Sequence, residues 1–209
     1  MKLAKEGLLT VIISAVLAVL FTVFLPWSWP GVMMFVFLAF ALWFYRDPDR
    51  VFPEGDNILA SPADGTVVEI IESAEHPFTG ASLKIGIFMT PISVHVNRVP
   101  CEGTIEYIEH VPGRRIPTFA PKASEVNERH YVGMSTPYGP ILLVQIAGTM
   151  ARRIACRVKC GDVLSAGERY GMIKLGSKVD IYLPAGIKLA VKVGDKVYAG
   201  KTVLGEMNK

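Results

Sequence analysis

Two stretches near the start of the chain contain no polar face at all. Residues 8–25 are 18 consecutive uncharged positions, and residues 31–45 are another 15. Neither carries the one-sided apolar stripe of a helix resting on a soluble core. At 1.5 Å per residue the first predicts about 27 Å of helix, close to a bilayer's hydrocarbon thickness, and the second about 22 Å, short for a full span. Pro26-Trp27-Ser28-Trp29-Pro30 lies between them. Proline stops helices and tryptophan suits a membrane–water interface, so this segment predicts the tip of a helical hairpin. After Tyr45 the texture changes to short β-branched runs punctuated by Gly, Pro and Asp. Residues 66–71, 83–88, 103–108, 141–146, 179–183 and 188–193 predict strands. The expected organisation is a membrane hairpin anchor over 1–45 and a mostly β domain over 46–209.

An internal repeat sharpens the fold. Val158-Lys-Cys-Gly-Asp-Val-Leu-Ser-Ala-Gly167 and Val191-Lys-Val-Gly-Asp-Lys-Val-Tyr-Ala-Gly200 match at an offset of 33. Two copies are too few for a solenoid. Gly-Asp and Ala-Gly are turn pairs, so each copy predicts a strand, a turn and a strand. Ser61-Pro-Ala-Asp-Gly65, ahead of the strand at 66–71, adds a further turn-then-strand unit. The expectation is a compact barrel-sandwich-like domain with quasi-repeated hairpins. Such hairpins resemble biotinyl and lipoyl carrier domains, a likeness of fold alone. In those carriers a modified lysine sits between two half-motifs. Here Met172-Ile-Lys-Leu175 falls between the copies, which makes a membrane-anchored carrier modified at Lys174 the alternative function.

Composition narrows the classes. The chain has 209 residues, 51% of them hydrophobic, a net charge of +3 and a mean hydropathy of +0.36. The apolar excess sits at the front, and the remainder is long enough for one domain with its own core. The near-balanced charge excludes a strongly basic nucleic-acid binder, and the hydrophobicity excludes disorder. Lys2 and Lys5 flank the first apolar run, and Arg46 and Arg50 follow the second. Positive charge on both flanks predicts both ends, and the domain, on the cytoplasmic side of the cell membrane. A cleaved signal peptide is disfavoured by the second apolar run and by the lack of a small-residue cleavage site before Pro26. Cys101, Cys156 and Cys160 are too few for a four-ligand zinc site and fit reduced thiols. His76, His110 and His130 are expected near solvated loops, without metal-ligand spacing, so no metal is expected. The segment 112–131 carries Arg114, Arg115, Lys122 and Arg129. It reads either as a solvated loop or as a flap meeting a lipid phosphate, a role open to Arg152-Arg153 as well.

The chemistry concentrates at Gly176-Ser177. A Gly-Ser bond held in a tight turn has the parts for backbone self-cleavage: the hydroxyl attacks the preceding carbonyl, which glycine leaves least shielded. The resulting ester can eliminate to dehydroalanine, which hydrolyses to a pyruvoyl group, an electron sink for decarboxylating an amine-bearing substrate. Taken alone, Gly-Ser is an ordinary turn pair. Phe44-Tyr-Arg-Asp-Pro-Asp-Arg50, Ser61-Pro-Ala-Asp-Gly65, Met89-Thr-Pro-Ile-Ser-Val-His-Val-Asn-Arg-Val-Pro-Cys101, Asn127-Glu-Arg129 and Tyr170-Gly-Met-Ile-Lys-Leu-Gly-Ser177 occur in that order. Together they resemble the phosphatidylserine decarboxylase family in its short form, over essentially the whole chain.

That resemblance implies an enzyme converting phosphatidylserine to phosphatidylethanolamine through a Schiff base with a pyruvoyl group made from Ser177. Cleavage between Gly176 and Ser177 would leave a β chain, 1–176, and an α chain, 177–209. Asp64 matches the family's catalytic aspartate and His95 a histidine of its His-containing segment. Long-form members carry a second histidine three residues on, usually assigned as the base for self-cleavage. This chain has Arg98 there, which cannot act as a base near neutrality. The implied division of labour has Asp64 orienting His95, which takes the proton from Ser177. The implied partners are the phospholipid, the membrane and the two chains of one precursor, and an exposed sheet edge would favour a homodimer. Archaetidylserine is the alternative substrate, since ester and ether tails would both meet apolar surface.

Overall fold

In a computed structural model, which describes residues 2–24, 29–55, 57–118, 122–149, 154–174 and 177–207, the chain forms two compact units, Met1–Asp49 and Arg50–Lys209. The first holds helices α1 (Leu8–Phe24) and α2 (Trp29–Phe44). They meet through small residues, with Ser14, Ala18, Gly31 and Ala41 buried, which lets two backbones approach closely. The Ser14 hydroxyl is absorbed by the Thr10 carbonyl at 2.8 Å, so it adds no unpaired polar group to an apolar helix. Larger side chains such as Leu9, Phe24 and Phe35 remain exposed. The helical stretch Lys5–Phe24 has 20 residues and a mean hydropathy of 2.6, long and apolar enough to cross a membrane, and Trp29–Phe44 is shorter. Trp29 and Pro30 belong to the first turn of α2 rather than to the hairpin tip. Proline is tolerated there because the first helical N–H groups have no intrahelical acceptor. The remaining tip residues, 26–28, lie outside the described residues.

The second unit is built from β1 (Ile58–Ala60), β2 (Gly65–His76), β3 (Gly80–Met89), β4 (Val96–Arg98), β5 (Gly103–Val111), a short helix α3 (Ala123–Val126), β6 (Arg129–Thr136) and β7 (Gly139–Ile146). It continues with β8 (Ile154–Cys156), β9 (Val163–Leu164), β10 (Arg169–Ile173), β11 (Ser177–Pro184), β12 (Ile187–Leu189), β13 (Lys196–Val197) and β14 (Val203–Met207). One sheet, ordered β13-β2-β3-β11-β7-β6-β5-β9, curls into a half-barrel, and two small sheets, β1-β14-β12 and β4-β10-β8, accompany it. The protein is thus mostly β behind an apolar helical start, as its hydrophobic pattern predicts.

The strand orders contain a duplication wider than the sequence repeat. β8 and β9 recur as β12 and β13, 33 residues later, and β10 recurs as β14. In the small sheets β4 corresponds to β1, and in the large sheet β9, β5, β6 and β7 mirror β13, β2, β3 and β11. One half is β4 to β10, a single run of chain. The other is β1 to β3 continued by β11 to β14. The first half is therefore inserted into the second, and only two crossovers join them: residues 90–95 and residues 174–176.

Alternation along β11 sends Val179, Ile181 and Leu183 into the main core with Met89, Ile87 and Ile85 of β3. The opposite face carries Leu142, Val144 and Ile146 of β7, covered by Phe78, Tyr107, Tyr131 and Tyr182. Burial on both faces explains the four consecutive apolar residues 141–144 of β7. At the Asp64-Gly65 turn a Cβ on residue 65 would lie 2.1 Å from the Phe88 carbonyl oxygen, so only glycine allows β2 to start that close to β3. Three sequence expectations change. The strand read at 188–193 is confined to Ile187–Leu189, and β6 begins inside the segment read as a loop. His76 and His110 lie on β2 and β5, and His130 on β6 is buried rather than solvated, because strand pairing carries its ring onto a covered face.

Candidate active site

The two crossovers carry the chemistry-bearing residues. His95 ends the first and is fully buried. Its Nδ1 lies 2.9 Å from the Ser93 carbonyl oxygen. A carbonyl only accepts, so Nδ1 carries the proton and, in the neutral ring, Nε2 carries the lone pair. The Ile173 amide donates to the His95 carbonyl at 3.2 Å. That bond ties the end of β10, four residues before Ser177, to the histidine.

Ser177 opens β11 opposite Met89 of β3 and is also fully buried. Its hydroxyl donates to the Met89 thioether at 3.4 Å, a weak acceptor that leaves the oxygen's own lone pairs unengaged by any charge. The same sulfur lies 3.8 Å from Asn97 Nδ2. Asn97 Oδ1 accepts from Gln145 Nε2 at 2.8 Å, and Gln145 Oε1 is buried without a hydrogen-bond partner among the described residues. Gly171 gives this amide its room, since a Cβ there would sit 2.8 Å from Gln145 Nε2 and 2.6 Å from the Ala155 carbonyl. Among the described residues, the contacts of the buried Ser177 side chain are therefore neutral, with one buried acceptor, Gln145 Oε1, to spare. A small electrophilic carbonyl at position 177 fits such a place, where an amine could be received through Gln145 Oε1 and bulk water is excluded.

Asp64 belongs to a second set of contacts. Arg50 grips it with both guanidinium arms, Nη2 at 2.8 Å from Oδ2 and Nη1 on Oδ1, while the Ala199 amide donates to Oδ1 at 2.8 Å. Arg50 Nη1 also donates to the Ala199 carbonyl at 2.7 Å. Both side chains are 8% exposed. The described contacts thus orient the Nδ1 of His95 on the Ser93 carbonyl, hold the aspartate through Arg50, and set the Ser177 hydroxyl against Met89. Arg98, at the position of the second family histidine, donates to the Gly167 carbonyl at 2.9 Å and acts as a backbone clamp. Gly176 lies outside the described residues.

Other candidates resolve simply. Lys174 follows β10 in the crossover, between strands of different sheets, instead of occupying the hairpin tip that a carrier lysine needs. In the segment 112–128, Arg115 pairs with Glu128 at 2.8 Å, and Arg129 donates to the Asn127 carbonyl and to the Tyr131 hydroxyl. Asn127 bonds both polar groups of Ile116 and the Ala147 carbonyl, which stitches this segment to the sheet. Arg115 and Arg129 thus each have partners within the chain, Arg115 at the surface. Arg152 and Arg153 lie outside the described residues.

Four residues of the site were given no role by the sequence: Met89 and Asn97, inside the motif around His95, Gln145, in no motif, and Arg50 as a partner of Asp64. Arg50 stands inside a quoted motif, but 14 positions separate it from Asp64, and nothing local couples them. Behind Ser177, on the other face of the sheet, lies a group of four charges. Lys84 and Lys178 both bond Glu69 Oε1, at 2.8 and 2.5 Å, and both lie 3.1 Å from Asp180. Burial pushes the Glu69 carboxyl up, and the two ammonium groups outweigh it and hold the carboxyl below its ordinary value.

The family model described as phosphatidylserine decarboxylase matches residues 37–205. The chain is 44% identical over 181 residues to the phosphatidylserine decarboxylase proenzyme of Carboxydothermus hydrogenoformans, covering 86% of this chain and 85% of that one. It is 42% identical over 205 residues to the proenzyme of that name from Syntrophus aciditrophicus, covering 97% and 96%. With the protein so named in Burkholderia lata it shares 41% over 211 residues, covering 99% and 97%. With matches along nearly its whole length, the chain belongs to the phosphatidylserine decarboxylase family and is a decarboxylase.

Proposed function

We propose that this protein converts phosphatidylserine to phosphatidylethanolamine with a pyruvoyl group that it makes from its own Ser177. The observation that carries the reading is the burial of the Ser177 hydroxyl among neutral contacts at the head of β11, with His95 tied by its carbonyl to the strand leading there. In self-cleavage His95 Nε2 takes the hydroxyl proton, and the Ser177 oxygen attacks the Gly176 carbonyl carbon. The C–N bond breaks and the acyl group passes to oxygen as an ester. Loss of the Cα proton of residue 177 then expels the Gly176 carboxylate, and water displaces the nitrogen as ammonia. The β chain ends at Gly176 and the α chain begins with the new carbonyl.

Once formed, that carbonyl would supply an electron sink for the decarboxylation of an amine-bearing substrate. Gln145 Oε1 accepts from the incoming ammonium, and Asn97 holds Gln145 in place. His95 returns a proton to the substrate carbon after carbon dioxide departs. Asp64 is held in one orientation by Arg50 and the Ala199 amide, at the turn that starts β2. The apolar helices keep the enzyme at the bilayer that holds its lipid, with the catalytic unit on the cytoplasmic side.

Denaturing mass spectrometry of the full chain beside Ser177→Ala tests the reading. Two wild-type fragments, one ending at Gly176 and one starting with a pyruvoyl-blocked residue 177, are expected, with the variant whole. A single intact wild-type chain would remove the cofactor and the mechanism together.

A further inference from the structure

The group of four charges behind β11, three of them buried, takes no part in this chemistry, yet one of them, Lys178, is the residue next to Ser177. Lys178 is the second residue of β11 and points to the face opposite the Ser177 hydroxyl. Its side chain is 6% exposed. Its Nζ lies 2.5 Å from Glu69 Oε1 on β2, 3.1 Å from Asp180 Oδ1 and 3.1 Å from the Ser124 hydroxyl on α3. Burying charge this deeply has a desolvation cost that a surface lysine escapes.

Self-cleavage changes what this strand end must withstand. Before it, residue 177 is held by the chain on both sides. Afterwards it is a terminus, and conversion to a pyruvoyl group also removes its nitrogen and so its only backbone donor. Chain ends fray unless they are tied down. Residue 177 is paired on one side, to Met89, whereas the β7 ladder starts at Lys178 opposite Ile146. We propose that Lys178 is a positioning residue, whose tether to Glu69, Asp180 and Ser124 keeps the first residue of the α chain in register after cleavage. The role rests on the self-cleavage reading above.

The test uses the full chain in detergent micelles with phosphatidylserine, comparing Lys178→Met, Lys178→Arg and Lys84→Met. Lys84→Met removes the same charge from the same group without touching the strand end, so a merely structural role would move both methionine variants alike. Lys178→Met is expected to cleave to completion and then lose at least tenfold in kcat per cleaved chain, with KM within twofold. Lys178→Arg should keep more than half of kcat, and Lys84→Met should stay within twofold of wild type. A wild-type kcat in Lys178→Met, a parallel loss in Lys84→Met, or incomplete cleavage of folded Lys178→Met overturns the role. If Lys178→Met does not fold, hydrogen exchange at amides 178–180 decides. Equal protection in cleaved wild type and uncleaved Ser177→Ala supports the tether, and lost protection after cleavage refutes it. An uncleaved wild type would sink the self-cleavage reading itself. A cleaved wild type with a fully active Lys178→Met would sink the tether alone.

Discussion

Arg50 and Asp64 show how much one buried pair can carry. Replacing Arg50 with methionine leaves a carboxylate that is 8% exposed with the Ala199 amide as its remaining donor among those described above. Breaking a buried ion pair from one side costs about 3–5 kcal/mol. Arg50→Met should therefore lower the thermal midpoint in a scan of the solubilised protein. Arg50→Met combined with Asp64→Asn should regain part of that midpoint without regaining processing. Full recovery of processing in the double variant would show that the aspartate's charge is dispensable. The cysteines make a second residue-scale prediction. Burial pushes the Cys101 thiol up to about 12 and raises Cys156 as well, and the thiolate is the reactive form. Cys160 is exposed. Brief iodoacetamide treatment near pH 8 should label Cys160 first and leave Cys101 intact, as read by peptide mass. Early labelling of Cys101 would mean that this part of the core opens. The candidate residues were readable at this scale only as types: Ser177, His95 and Asp64 stand out by motif, whereas Gln145 and Asn97 look like any strand or loop amides.

At the scale of elements, the backbone approaches at Gly65 and Gly171 decide where the site residues lie. Gly65→Ala would push a methyl group against the Phe88 carbonyl, and overpacking of this kind costs about 1–3 kcal/mol. Since residue 65 follows Asp64 directly, the displacement should also slow cleavage, which a gel time course would measure. Unchanged cleavage with lowered stability would separate the turn from the chemistry. Gly171→Ala meets the Ala155 carbonyl and the Gln145 amide. It is expected to impair decarboxylation more than folding, seen as lower kcat per cleaved chain at a similar midpoint. Of the long strands, β2, β3, β5, β7 and β11 were legible because they alternate or run apolar, whereas β6, whose residues Arg129–Thr136 mix charge, glycine and hydroxyls, was not read as a strand. The short ones, β4, β8, β9 and β13, span two or three residues each, and so few residues show no period. Their pairing is a property of the sheet they join.

At the scale of the whole molecule, acid should act in two steps. His130 is a buried neutral ring held below its ordinary value of 6.5, first by burial and then by His110. The unfolded chain binds that proton more readily, so stability falls as pH drops below about 6.5. Glu69 is held below its ordinary value of 4.5 by Lys178 and Lys84 against the effect of burial. Its contribution is present above that value and lost as pH falls through the depressed folded one. Midpoints measured from pH 8 to 3 should therefore decline twice. His130→Gln should flatten the first decline and Glu69→Gln the second, and unchanged profiles would refute the assignment.

The sequence alone determined the apolar start, the mostly β body and the candidate pair Gly176-Ser177, because each is written locally in hydrophobicity, turn residues or motif. It also contained one trace of the duplication, the repeat at an offset of 33, where turn chemistry demands the same residues twice. Only the tertiary structure decided that the duplication extends to seven strands on each side. Equivalent strands such as β2 and β5 satisfy the same pairing geometry with different side chains, which no pattern of residues records. It also decided how the chemistry-bearing residues are held: β3 lies beside β11, which sets Ser177 against Met89, 88 positions away in the chain, and β4 lies beside β10, which ties the His95 carbonyl to the Ile173 amide. Such pairings join distant segments through sheet geometry, which no local pattern of residues records.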